Sequence, residues 1–234
     1  DLFKEHKLSI LPITRGDYFI STIETFHDFN NSEANVEKIN FPGYIESIDF
    51  KNISSEATAL NCAFVSGMIT DFSEDTELMP TVNGRMSSSS FDFSINSTFG
   101  PLKIDVVNSQ IEIDGGYEGH DYLSLIEAKN YISDDFLVRQ LFYPLKLWSG
   151  KISKPVKSVF LTYTNGIFHF REYEFKDLGN YNSVSLLKEK KYAIRDGSIN
   201  TELIQKTLER VEIVEEPEIP FPQADSFERV INLC

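Results

Sequence analysis

The sequence predicts an α/β protein with one mixed β-sheet flanked by helices and a β-rich N-terminal edge. Along the chain, apolar residues first recur at helical spacing, then alternate with polar residues as in strands, and then recur at helical spacing again. The 234 residues are 41% hydrophobic, which is enough to bury a core within one main domain. Because strands and helices interleave, we expect helices to cover both faces of the sheet.

Three segments are expected along the chain. Residues 1–53 are predicted to be a β-rich N-terminal segment, because short apolar runs there are separated by polar and turn-forming residues. Residues 54–211 are expected to form the core. Residues 212–234 begin as an acidic, proline-containing stretch typical of an extended connector, and helical apolar spacing then resumes. We interpret this last segment as a connector and the start of a C-terminal helical module.

The core is predicted to open with a helix over residues 54–72, where apolar side chains recur every three or four positions and serines suit the N-cap. Gly67 lies inside this helix, where glycine costs about 1 kcal/mol relative to alanine. We interpret Gly67 as a close packing contact rather than a break. A polar loop at residues 77–90 is expected to follow.

Three strands are predicted next, at residues 91–95, 102–114 and 122–129. A helix is predicted over residues 134–148, with a proline inside it that kinks or shortens it. Residues 156–175 alternate around Asn-Gly, which is the strongest short-range signal for a hairpin.

Residues with catalytic potential lie around the second and third of these strands. Asp114 ends one predicted strand, a glycine-rich turn reverses the chain, and the next strand presents Glu127 and Lys129. Side chains two positions apart on a strand share a face, so Glu127 and Lys129 point together while Ala128 faces the other way, under a helix. Antiparallel pairing can bring Asp114 beside them.

Two carboxylates and an ammonium around one point suit phosphodiester hydrolysis. Carboxylate oxygens hold Mg²⁺, which lowers the pKa of a bound water, and Lys129 can orient that water and stabilise developing charge. Glu112 is a rival for Asp114, and both can line the site. The alternative interpretation is an exposed cross-strand pair of Glu127 and Lys129, with Asp114 as a turn residue.

The pattern resembles the PD-(D/E)XK nucleases and, within them, type II restriction endonucleases. The resemblance covers roughly residues 54–175 and rests on Asp114, twelve intervening residues, and Glu127-Ala128-Lys129. It also includes the helical stretch 55–61 and residues 81–86. Ile113 stands where the family name has proline, which lowers the specificity of the motif. The resemblance implies a restriction-endonuclease-like fold.

Further roles are implied by this resemblance. Glu56 matches an acidic residue on the helix before the sheet and would join Asp114 and Glu127 around Mg²⁺, with Mn²⁺ as a substitute. Gln140 matches a glutamine on the helix after the E-x-K strand. The catalytic set is then Asp114, Glu127, Lys129, Glu56 and Gln140. Two alternatives stay open: Glu56 can simply offset a helix dipole, and Gln140 can be polar helix surface.

Contact with DNA is predicted for the polar stretch before the first core strand. Asn83, Arg85 and Ser87 carry groups that hydrogen-bond phosphates or base edges, and arginine to guanine is the commonest specific contact. An ordinary surface loop has the same composition. A run of lysines at residues 151–157 either meets backbone phosphates or is solvated surface.

Other candidate groups are weaker. His120 lies in the turn and is expected to be solvated, and Glu118 and Asp121 can hold a cation there instead. The four histidines lack metal-ligand spacing, and Cys62 and Cys234 support neither a disulfide framework nor a thiolate site. We therefore do not expect a zinc enzyme. No run of 18 apolar residues and no signal-peptide pattern is present, so we expect a cytoplasmic protein with no membrane partner.

The sequence thus favours a Mg²⁺-dependent endonuclease that cuts double-stranded DNA, with a sequence-specific type II restriction enzyme as the leading expectation. The resemblance also implies a homodimer, since such enzymes commonly dimerise to cut both strands. The net charge of −14 and pI near 4.7 oppose DNA binding and favour a noncatalytic cation- or protein-binding β-rich module. A repair or junction nuclease of the same fold is the remaining alternative.

Overall fold

The computed structural model describes residues 2–29, 32–131 and 134–195, together with residue 205. One compact unit runs from Asp1 to Arg195 and a second from Asp196 to Cys234. The predicted connector and C-terminal module at residues 212–234 lie outside the described residues. The N-terminal segment belongs to the same compact unit as the core.

Four helices and thirteen strands occur in these described ranges. The helices are α1 (Leu2–Glu5), α2 (Glu56–Val65), α3 (Met68–Ser73) and α4 (Arg139–Ser149). The strands are β1 (Ser9–Pro12), β2 (Tyr18–Ser21), β3 (Phe26–Asp28), β4 (Val36–Ile39), β5 (Met79–Ser87), β6 (Ser90–Ile95), β7 (Leu102–Val107), β8 (Gln110–Glu118), β9 (Leu123–Lys129), β10 (Asp135–Leu137), β11 (Val156–Thr164), β12 (Ile167–Phe175) and β13 (Val184–Ile194).

A seven-stranded mixed sheet forms the centre of the unit, in the order β4-β13-β12-β11-β9-β8-β5. The β9–β11 and β13–β4 pairs are parallel, and the other pairs are antiparallel. Parallel strands need a crossover connection, and α4 lies in the segment that joins β9 to β11. Three two-stranded sheets, β1-β2, β3-β10 and β6-β7, accompany it. The predicted α/β class with a β-rich N-terminal edge is confirmed.

Two apolar clusters cover the two faces of the sheet. One gathers α4 residues such as Phe142 with Phe160 of β11 and Phe93 of β6. The other packs α2 and α3 against β9, β11 and β12, and it includes Ala128. Ala128 therefore lies under a helix, as predicted, because a small side chain there lets α2 approach the strand.

The helix predicted over residues 54–72 is two helices. Ser55 caps α2 by accepting a hydrogen bond from the Thr58 backbone N–H at 3.1 Å. Gly67 has a φ of +80°, a left-handed conformation that interrupts the helix between α2 and α3. Nothing lies within 4 Å of where its side chain would start, so the interpretation of Gly67 as a packing contact was wrong.

Two predictions around the candidate residues were also wrong. The polar loop expected at 77–90 contains β5, which pairs with β8 at the sheet edge. The single strand expected at 102–114 is β7 followed by β8, with a reversal at Asn108, whose φ is +53°. An edge strand that is exposed along most of its length lacks the alternation that sequence patterns reveal.

The expected glycine-rich turn after Asp114 is not a turn. β8 continues through Gly115 and Gly116, which pair with Ile126 and Leu125 of β9. A side chain at Gly116 would place its Cβ only 2.6 Å from the Cβ of Val82 on β5. The glycine is there because β5 and β8 approach closely, and the chain reverses later, at residues 119–122.

The elements after β9 match the sequence predictions more closely. The hairpin of β11 and β12 is confirmed, and Asn165 and Gly166 both have positive φ, as a tight primed turn requires. The helix predicted over 134–148 was wrong at its start, where β10 pairs with β3. Pro144 lies inside α4, which continues to Ser149. Within the described ranges, no helix combines the length and apolarity needed to cross a bilayer.

Substituting Gly116 tests the close contact between β5 and β8. We expect Gly116→Ala to lower the free energy of unfolding by about 1–3 kcal/mol, because Val82 must move to accommodate the new methyl group. Gly43→Ala is the matched control, since nothing lies within 4 Å of that position. Urea denaturation of both variants measures the difference. Equal midpoints for the two would contradict the packing described here.

Candidate active site

The predicted acidic and basic side chains meet on two adjacent strands. Asp114 lies on β8, and Glu127 and Lys129 lie near the end of its antiparallel neighbour β9. The last regular pair is Gly115 with Ile126, which puts Asp114 next to Glu127 in the continuing register. The structure therefore brings these three residues together at one cavity.

An irregularity in β8 fixes the direction of Asp114. Val82 of β5 pairs with Gly116 and Gly84 pairs with Ile113, so Asn83 alone opposes Asp114 and Gly115. This is a β-bulge, a feature that re-aims side chains and is frequent beside active sites. The Asp114 Oδ2 atom accepts a hydrogen bond from the Ala128 backbone N–H at 2.9 Å. The carboxylate is thus anchored to β9 between Glu127 and Lys129.

Glu127 is the most buried acidic group at this point, with 7% of its side chain exposed. Its Oε1 atom accepts a hydrogen bond from Lys129 Nζ at 2.6 Å. The same oxygen accepts a second hydrogen bond, from Gln140 Nε2 of α4. Lys129 Nζ also lies 3.7 Å from Glu56 Oε1. The four side chains therefore form one connected polar group.

Helix starts supply the outer members of this group. Glu56 occupies the first turn of α2, and Gln140 the first turn of α4. Together with the strand residues they form what we term the carboxylate–lysine cluster: Glu56, Asp114, Glu127, Lys129 and Gln140. Tyr143 does not join it, because its ring is buried and its hydroxyl donates to the Pro12 carbonyl at 3.0 Å.

A polar cavity of about 210 Å³, which we term the site cavity, opens on the cluster. All five cluster residues line it, and the other lining residues are Ile111, Glu112, Arg139 and Pro144. The lining therefore carries four carboxylates against two cationic side chains. Such an excess of negative charge favours the binding of a cation.

The charge imbalance is reflected in the pKa of Glu127. Burial, and then repulsion from Asp114, raises this pKa from 4.5 to about 7, although Lys129 opposes the change. Burial is the largest single influence on Lys129 and would lower its pKa, but the combined attraction of Glu127, Glu56 and Asp114 outweighs burial and raises that pKa. Lys129 is therefore an ammonium at neutral pH, and Glu127 is poised between its two protonation states.

The donor chemistry fits a small divalent cation. In the part of the chain that the structure describes, no three His, Cys, Asp or Glu side chains form a ready-made metal cage. Mg²⁺ does not need one, since it keeps several waters and uses one or two carboxylates together with substrate phosphates. Asp114 and Glu127 supply such oxygens in one polar cavity, with Glu56 at its edge.

The predicted DNA-contacting residues lie on β5, the last strand of the sheet in the described part of the chain. Arg85 pairs with Glu112 of β8, and its Nε lies 3.2 Å from the Glu112 carboxylate. Arg85 and Asn83 are exposed, whereas Ser87 is half-buried and donates to Asn108 Oδ1 at 3.2 Å. Glu112, the partner of Arg85, lines the site cavity.

The weaker candidates have other partners. The exposed His120 ring contacts Glu77 at 3.0 Å, and Lys154 Nζ lies 2.7 Å from Glu118. The Asp121 backbone N–H donates to the Asp75 carboxylate at 3.2 Å. Lys157 donates to a carbonyl of α3 at 3.0 Å, so two of the predicted lysines serve intramolecular contacts. Cys62 is buried, and burial raises the pKa of its thiol to about 12.

Arg139 was missed by the sequence analysis, although it lines the site cavity next to Gln140. The sequence carried no signal for it, because the helix was expected to begin at residue 134, which puts Arg139 in its second turn, whereas in the structure Arg139 is the first residue of α4.

The fold and the site define an α/β protein with a carboxylate–lysine cluster in a polar cavity at the end of a mixed sheet. The chain belongs to the family described as Domain of unknown function (DUF6997), whose sequence model matches residues 21–193. All members of the cluster lie within that range. No curated protein matches the chain, and no solved structure does.

Proposed function

We propose that this protein is a Mg²⁺-dependent endonuclease that hydrolyses phosphodiester bonds of double-stranded DNA, with a PD-(D/E)XK-like centre. The observation that carries the proposal is the junction of Asp114, Glu127 and Lys129 on adjacent strands, facing one polar cavity. A purely structural ion pair does not need a second carboxylate that is held beside it by a backbone hydrogen bond. A sequence-specific restriction enzyme, acting as a homodimer in the cytoplasm, is the particular form we favour.

The carboxylates have the role of holding the cation. When bound, Mg²⁺ or Mn²⁺ would neutralise phosphate charge and lower the pKa of a water. Asp114 and Glu127 are the ligands we assign to it, with Glu56 at the outer edge. Gln140 helps to hold the buried Glu127 carboxylate by donating a hydrogen bond to Oε1, the oxygen that also accepts from Lys129. This positions the carboxylate before any substrate binds.

Lys129 has a different role. Hydrolysis joins a water oxygen to phosphorus and breaks the bond from phosphorus to a sugar oxygen, so negative charge builds on the phosphate. The ammonium group, whose pKa is raised, can hydrogen-bond the attacking water and stabilise that charge, but it cannot remove a proton. Its contacts with Glu127 and Glu56 hold it in the lining of the site cavity.

The acidic character of the chain limits how DNA can approach. A net charge of −14 repels a polyanion, so attraction has to come from a local cationic surface, to which a bound metal would add. The surface that we assign to this contact is formed by Arg85, whose partner Glu112 lines the site cavity, and by Asn83 on the same strand. Ser87 lies farther along the same strand.

Arg85→Ala is expected to weaken binding to the cognate DNA by about 1–3 kcal/mol if the guanidinium reads a base. Removing Arg85 also frees the Glu112 carboxylate, which adds local repulsion. The double variant Arg85→Ala/Glu112→Gln separates these two effects. Arg15→Ala, in the exposed turn between β1 and β2, is the matched control. If the double variant binds with unchanged affinity, β5 is not part of the DNA interface.

The proposed activity is tested by incubating the protein with supercoiled plasmid in Mg²⁺, in Mn²⁺ and in EDTA. We expect nicked or linear product with either metal and none in EDTA. Calorimetric titration with Mg²⁺ in parallel separates a nuclease from a module that only binds cations. Binding of Mg²⁺ without any cutting would favour the module.

A further inference from the structure

Arg139 differs from the other cationic side chain of the site cavity in its partners. Lys129 is engaged by Glu127 and Glu56. By contrast, none of the carboxylates in residues 2–29, 32–131 and 134–195 forms an ion pair with Arg139. Its guanidinium lies 5.7 Å from the centre of the Tyr143 ring, which is a weak cation–π contact. The cavity therefore holds a cation with remaining capacity to bind an anion.

The Arg139 Nε–H is buried and has no hydrogen-bond partner in the described part of the chain. A charged donor closed off from water and left unpaired is costly, so proteins rarely keep one without a use. A stabilising role in α4 does not explain it, because a cation in a first turn opposes the helix dipole. Arg139 also lines the site cavity, so an anion that enters the cavity can meet its guanidinium.

The anion must suit both the guanidinium and the cavity. A guanidinium presents parallel N–H groups that match two oxygens of a phosphate, with more directional preference than an ammonium. The volume of about 210 Å³ is several times the roughly 30 Å³ that one water occupies. Four lining carboxylates would repel a phosphate elsewhere in the cavity, so Arg139 is where it can be held.

We propose that Arg139 binds a backbone phosphate of the DNA strand and holds it against the carboxylate–lysine cluster. This inference rests on the proposed function, since it names the residue that positions the substrate of that same cavity. Arg139 is thereby a substrate-binding residue, and its contribution to affinity does not depend on a bound metal.

The test is binding of a fluorescently labelled DNA duplex in EDTA, where metal-dependent cutting cannot occur. We measure Kd by anisotropy at several salt concentrations for wild type, Arg139→Ala and the control Arg15→Ala. We expect Arg139→Ala to bind about ten- to a hundredfold more weakly. The slope of log Kd against log salt concentration should become shallower by the amount that about one phosphate contact contributes. Arg15→Ala should match the wild type.

Two results would overturn the inference. One is equal affinity and salt dependence in wild type and Arg139→Ala, and the other is no binding of the duplex by the wild type. If Arg139→Ala does not fold, as judged by circular dichroism, Arg139→Gln is measured in its place against the same criteria.

If Arg139 governs binding but the wild type never cuts in Mg²⁺ or Mn²⁺, the phosphate site stands and the nuclease proposal falls. If the wild type cuts and Arg139→Ala binds as tightly as wild type, the nuclease proposal stands and the phosphate site falls.

Discussion

Replacing Lys129 by alanine is expected to lower the rate of plasmid cutting by about 10²–10³-fold or more. The ammonium is held 2.6 Å from Glu127 in the lining of the site cavity, where it can stabilise the charge that develops on the phosphate. Asp114→Ala should have an equally large effect, because it removes both a metal ligand and the anchor to the Ala128 backbone. Initial rates in Mg²⁺, measured at equal protein concentration, give the comparison.

The controls separate chemistry from folding. Lys103→Ala removes an exposed lysine that pairs with Asp92 at 3.0 Å, outside the site cavity, and should cut like the wild type. Because Lys129 is the partner of a buried carboxylate, its loss can also destabilise the protein. Lys129→Gln keeps a polar tip and should be folded yet inactive. Cutting at the wild-type rate by a folded Lys129 variant would show that the assignment is wrong.

The second large effect is on stability. Glu127→Gln is expected to stabilise the metal-free protein at pH 8 by about 1–3 kcal/mol. The folded-state pKa of Glu127, about 7, is above its ordinary value of 4.5, so the stability linked to this group is present at low pH. That stability is lost as the pH rises through 7, where the folded protein must hold a buried charge. Glutamine removes this cost.

Urea denaturation in EDTA at pH 5 and pH 8 measures this difference. The gain from Glu127→Gln should be large at pH 8 and small at pH 5. Glu112→Gln is the matched control, because Glu112 lines the same cavity but is half exposed, and it should change stability by less than about 0.5 kcal/mol. A gain of equal size at both pH values would indicate that burial of charge is not the cause.

Local patterns in the sequence predicted much of the fold. Alternation identified β6, and alternation around a diagnostic turn identified the β11–β12 hairpin. β9 was identified as an apolar strand, and it is buried along almost its whole length. Helical spacing identified α2. These features depend on neighbours within a few residues, which is the information that a sequence pattern contains.

Elements that depend on distant partners were not predictable in this way. β5 is exposed over most of its length and is a strand only because it pairs with β8. β10 looked like the start of a helix and is a strand because it pairs with β3. Gly115 and Gly116 suggested a turn, whereas Val82 on another strand explains the need for glycine at position 116.

The candidate site also combines features that local patterns predict with features that depend on distant residues. That Glu127 and Lys129 point together follows from the two-residue period of a strand, and the approach of Asp114 follows from antiparallel pairing. The bulge opposite Asn83 depends on the edge strand and left no pattern. Arg139 was missed because its significance lies in the cavity and in an unpaired nitrogen, neither of which sequence spacing reveals.

The central claim is that the carboxylate–lysine cluster cuts DNA, and sequencing the ends of plasmid fragments tests it most directly. Supercoiled plasmid is incubated with wild type and with Lys129→Gln in Mg²⁺, and the product ends are mapped. The account predicts fragments with ends at a defined sequence from the wild type and intact plasmid from the variant. Intact plasmid from the wild type, or the same fragments from both proteins, would contradict it.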